Sequence, residues 1–120
     1  MQPQLVPVLL KLKQVYLIWF KNYQTLPKTH RYSIGQKIDS LFIDTMEAIS
    51  VATFLNKTEK QPWIRLAIRK VDTVKLLLMI LWENKTLEEK KYIDLSITLN
   101  EVGKMLGGWN GQIEKQNQPK

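Results

Sequence analysis

At 120 residues and 44% apolar content the chain has the length for one domain with its own hydrophobic core, and the composition excludes a disordered polymer. It has no cysteine, which excludes a disulfide framework and a thiol nucleophile, and a single histidine. A formal charge of +7 makes an anionic partner the natural one.

That charge is regional. Residues 1–37 carry six positive charges and none negative, 38–56 carry three acids and no base, 57–75 return a surplus of four positives, and 76–120 balance. Concentrated positive charge suits the phosphate backbone of RNA or DNA, or an acidic protein, with affinity that falls steeply as salt rises. The N-terminus lacks the charged-then-apolar pattern of a secretory signal. The longest charge-free apolar runs, 15–20 and 76–82, are too short to span a bilayer. The expectation is a soluble, cytoplasmic protein that makes no membrane contact.

Pro3 and Pro7 punctuate the start, and Pro7 suits the first turn of a helix over about 7–24. Its apolar residues recur at Leu9, Leu12, Tyr16, Trp19 and Tyr23, in steps of three and four. Val8, Leu10, Val15, Leu17, Ile18 and Phe20 widen that stripe, so the helix is expected to bury more than one face. Pro27 should stop it, because proline lacks an amide donor and holds Leu26 extended. A basic loop over 24–32 follows. Ser33 with Gln36 three positions later reads as a capping box and predicts that the second helix, about 34–55, starts at Ile34. Its inner side is expected to carry Ile34, Ile38, Leu41, Met46, Ile49, Ala52 and Leu55.

The third helix, about 61–84, is predicted to open at Pro62 after a break at 56–59, with Ile64, Ala67, Val71, Val74, Leu78 and Leu81 as its inner stripe. Thr86 with Glu89 reads as a second capping box. The helix it opens, about 87–109, has the cleanest seam: Tyr92, Leu95, Leu99, Val102, Leu106 and Trp109. Gly103, Gly107, Gly108 and Gly111 sit late in it and read either as fraying into a polar tail over 110–120 or as a flat face for a neighbouring helix. With no strand-like alternation, the four helices predict an all-α antiparallel up-down bundle over 1–109. Helix 1 and residues 76–82 carry apolar residues beyond one stripe, which predicts self-association, with Leu77 and Trp82 as interface candidates.

Two basic surfaces are candidates for nucleic-acid or partner binding. Lys28, His30, Arg31 and Lys37 surround the predicted restart of helix 2, with no acid among them. Arg65 and Arg69, four apart, project from one side of helix 3 with Lys70 adjacent, although Asp72 could neutralise part of that face. A metal site is not expected, since His30 has no partner set, and no cofactor is implied. The chain is read as a non-enzyme. It has no Gly-rich phosphate loop, and Asp44 and Glu47 read as a solvated face rather than a catalytic pair.

The segment Leu26-Pro27-Lys28-Thr29-His30-Arg31-Tyr32-Ser33-Ile34-Gly35 and the late-helix segment Glu101-Val102-Gly103-Lys104-Met105-Leu106-Gly107-Gly108-Trp109 together resemble the accessory variability determinant (Avd) proteins of diversity-generating retroelements. That family is related to the four-helix proteins encoded in bacterial 23S ribosomal RNA intervening sequences. The resemblance covers nearly the whole chain. It implies a homopentamer of bundles that binds RNA or DNA and a reverse transcriptase, and that supports mutagenic copying of a template RNA. The relatives offer a competing expectation, a non-enzymatic ribosome-associated protein whose partner is ribosomal RNA or the ribosome surface.

Overall fold

Four helical rods run up and down beside one another in the computed structural model, which describes residues 5–118. Helix α1 is Leu5–Thr25. The second rod, α2, spans residues 28–53. It consists of a single turn at Lys28–His30, a π-helical turn at Arg31–Gly35 and the α-helix Gln36–Thr53, which follow one another without a break. Helix α3 is Lys57–Glu83 and α4 is Glu89–Gln116. Helices consecutive in sequence pack together and α1 closes the ring against α4, so an all-α antiparallel four-helix bundle is the fold. The bundle measures 53 × 20 × 20 Å, and no strand occurs among the described residues. Pro3 lies outside the described residues.

Core formation follows the 3.6-residue period most faithfully in the second half of the chain. Ile64, Ala67, Val71, Val74, Leu78 and Leu81 of α3 are all buried, as are Leu95, Leu99, Val102, Leu106 and Trp109 of α4. Tyr92 is half-buried and stacks face to face on Trp82, with ring centroids 4.9 Å apart. In α1 the buried set is Val8, Leu12, Val15, Trp19 and, beyond the helix, Leu26, whereas Leu9, Tyr16 and Tyr23 flank the core half-buried. The expected stripe is thus turned by part of a residue step. In α2 the core takes Ile38, Leu41, Phe42, Ala48, Ile49 and Ala52, with Ile34 and Met46 at its margin. Tyr16, Trp19 and Phe42 meet across the α1–α2 interface at centroid distances of 5.6 and 6.3 Å.

Several helix ends differ from the sequence reading, each for a local reason. The segment 24–32 is not a loop and Ser33 is not a cap. Pro27 is the extended residue, with ψ 147°, and its carbonyl at once accepts the amides of His30 and Arg31 at 3.0 and 2.8 Å. The helix therefore restarts at Lys28. Ser33, already inside it, donates its hydroxyl to the Thr29 carbonyl at 2.6 Å. Helix α3 opens at Lys57 rather than near Pro62, because Asn56 is extended and its side-chain oxygen accepts the Glu59 amide at 3.2 Å. Pro62 is tolerated within the helix since the carbonyl it leaves without an amide belongs to Thr58, an exposed residue of the first turn.

Nor does Thr86 cap α4. Its hydroxyl donates to Asn84 Oδ1 at 2.6 Å, and Glu88, extended at ψ 145°, precedes the helix without a side-chain cap bond. The turn before it is built on Lys85 at φ 66°, the left-handed conformation that ends many helices. Residues 110–116 are helix, not tail, because Ile113 continues the Leu106–Trp109 seam by four and is 3% exposed. The late glycines do not seat another helix of the chain. A side chain at Gly107, Gly108 or Gly111 would meet open space, and one at Gly103 would meet only the Lys75 amine.

Candidate nucleic-acid interface

The start of α2 places the N-terminal basic residues. Gly35 sets its position: a β-carbon there would lie 3.0 Å from the His30 carbonyl oxygen and 3.1 Å from both Leu26 Cδ1 and Tyr23 Cε1. A side chain there would require these neighbours to give by a few tenths of an ångström, so glycine suits the close seating of the π-helical turn on the end of α1. His30, in the turn before it, is half-buried, with Nδ1 3.3 Å from the Thr86 hydroxyl. That contact ties the start of α2 to the α3–α4 turn. Lys28 and Lys37 are exposed, and Arg31 is half-buried with its guanidinium 5.6 Å from the Tyr32 ring centroid. Among the described residues none of Lys28, His30, Arg31 or Lys37 is in an ion pair. Ser33, Gln36, Lys37 and Ser40 line a shallow, open polar depression beside them.

The second candidate surface is partly engaged in surface ion pairs. Arg65 and Arg69 share a side of α3, but Lys70, one residue on, is turned about 100° away. Lys70 reaches Asp44 on α2 at 3.3 Å, while Arg65 approaches Glu114 on α4 at 3.8 Å. Asp72 pairs with Lys75 at 4.0 Å. Arg69 alone of the three has no ion pair among the described residues. Of the proposed interface residues, Leu77 packs half-buried against the core and Trp82 is stacked on Tyr92, and Leu76 is the more exposed member of that stretch.

Two features escaped sequence reasoning. Tyr32, inside the basic segment, is 66% exposed, and its place amid unopposed positive charge was the available signal. Lys60 is 1% exposed, with Nζ lacking a hydrogen-bond partner among the described residues and 5.7 Å from the Trp109 ring centroid. It falls four before Ile64 on the inner stripe of α3, so the period pointed to it. Burial, and secondarily the nearby Lys57 charge, lowers its pKa from 10.5. On α1, burial and then the nearby Asp39 carboxylate push the Tyr16 hydroxyl up to about 12. Among the described residues no cluster of three or more His, Cys, Asp or Glu could hold a metal, and no helix is long and apolar enough to cross a membrane.

A protein-family model described as bAvd-like matches residues 8–113. No significant match was found among curated proteins or solved structures.

Proposed function

The chain belongs to the bAvd-like family and is an Avd-type accessory protein; from that premise we propose that it binds nucleic acid and the reverse transcriptase of a diversity-generating retroelement, supporting mutagenic cDNA synthesis without catalysing a step itself. The observation that carries this reading is the extent of the family match, which takes in all but the outermost turns of the four helices. The unpaired cations at the start of α2 support the nucleic-acid part. The surface of α1 supports assembly: Leu10, Leu17, Ile18 and Phe20 are exposed along it, more apolar surface than a lone bundle needs. Five chains is the number the Avd resemblance implies, with Leu77 and Trp82 as further interface candidates.

Co-expression with the cognate reverse transcriptase, followed by affinity capture and a salt titration of RNA binding, tests the reading. The polymerase should be captured, and RNA affinity should fall steeply with salt. Lys28→Ala with Lys37→Ala should weaken binding and flatten the salt slope by about 0.7–0.9 for each phosphate left without its cation, and by more than Arg65→Ala with Arg69→Ala does. Absence of both RNA binding and polymerase capture would overturn the proposal.

A further inference from the structure

Tyr32 carries a largely exposed aromatic ring that takes no part in the core. A π-helical turn holds about one residue more than an α-helical turn, so residues before it are offset by about 100° relative to the face that follows. Tyr32 lies within that turn, outside the stripe that Ile38, Leu41 and Phe42 bury. The Arg31 guanidinium lies over the ring at 5.6 Å. The ring thus has a cation beside it, and 66% of the residue is exposed to solvent. Lys28, one turn earlier, and Lys37 are exposed cations of the same rod, and no acidic residue precedes Asp39 in the chain.

We propose that Tyr32, backed by Arg31, stacks an unpaired base of single-stranded nucleic acid while Lys28 and Lys37 hold neighbouring phosphates. The proposal rests on the nucleic-acid reading above and names its substrate class. In a duplex each base is already stacked on its neighbours, so only an unpaired base can offer its face to an isolated ring, and stacking of this kind tolerates any sequence. A protein partner is less well suited, because the ring stands amid positive charge rather than within an apolar patch.

Fluorescence anisotropy on the full chain, with labelled oligo(dT), an abasic oligonucleotide of equal length and a duplex, tests it. Tyr32→Ala should weaken oligo(dT) binding about 5- to 150-fold. The salt slope should not change, since every cation is retained. Tyr32→Phe should bind like the parent, and the abasic strand and the duplex should not distinguish parent from Tyr32→Ala. Lys28→Ala should instead weaken all three probes and flatten the salt slope. Circular dichroism melting of Tyr32→Ala should match the parent, as expected for an exposed side chain. If the parent binds oligo(dT) and Tyr32→Ala binds it equally well, the stacking proposal fails while the nucleic-acid reading stands. Loss of polymerase capture by Tyr32→Ala with oligonucleotide binding intact would likewise overturn it, in favour of a protein contact. A parent that binds none of the probes overturns the stacking proposal, and the RNA titration and polymerase capture above then decide the functional reading.

Discussion

Glycines in this chain show how one residue type plays opposite parts. At Gly35 an added methyl group would press on backbone and on two side chains of α1, so Gly35→Ala should cost about 1–3 kcal/mol in urea denaturation, the usual penalty of overpacking. At Gly107 the same change meets open space within a regular helix and should stabilise by about 0.4–1 kcal/mol. Equal effects at the two sites would refute the close approach at Gly35. The crowding at Gly35 depends on how α1 and α2 meet, which the sequence does not display. Titration separates two other residues. Lys60 has a lowered folded-state pKa, so the unfolded chain holds more protons between that value and 10.5. Its contribution is complete above 10.5 and is lost as the pH falls through the window. Tyr16 works the other way, its contribution being present below 10 and lost as the pH rises towards 12. Melting temperatures measured across alkaline pH should show Lys60→Met removing the rise and Tyr16→Phe removing the fall.

Among the elements, legibility depended on how sharply apolar positions alternate with polar ones. The seams of α3 and α4 were readable because charged residues lie outside them along α4 and the first half of α3. Helix α1 is apolar almost all round, so the period could not choose between neighbouring stripes, and the aromatic contacts with Phe42 decide the rotation. Both proposed capping boxes had the right residues at the right spacing. They failed because Pro27 and Asn84 already supplied partners, a competition that a four-residue pattern does not register. The cap that does form, at Asn56, lay in the stretch read as a break. Asn56→Ala should lower stability by about 0.5–2 kcal/mol, measured by thermal or urea unfolding, whereas Thr86→Ala should leave the start of α4 unchanged by hydrogen exchange. Of the candidate interface, the absence of acidic partners at the start of α2 was legible from charge alone. The ion pairing of Arg65 and Lys70 was not, since their acidic partners come from other helices.

For the whole molecule, the apolar surface of α1 and the positive charge concentrated before Asp39 come from the same third of the chain. Helix α1 presents Leu10 and Leu17 two turns apart, 62% and 52% exposed, with Lys13 and Lys21 alongside. If that face is buried between copies, Leu17→Glu should lower the mass seen by light scattering while leaving helical content intact, because an unpaired carboxylate would be desolvated at the contact. An unchanged mass would move the contact to another face, and a monomeric parent would remove the assembly altogether.

The π-helical turn has a further consequence for how the chain tolerates changes in length. Its surplus residue is absorbed within a rod that is otherwise regular on the C-terminal side, where Ile38, Leu41 and Phe42 lock into the core. Removing one residue between Arg31 and Gly35 would tighten that turn to an α-helical one without disturbing the locked portion. The segment ahead of it would rotate, carrying Lys28 to a new azimuth and parting His30 from Thr86. The turn thus acts as a spacer, uncoupling the direction in which the basic residues face from the registry of the bundle beneath them.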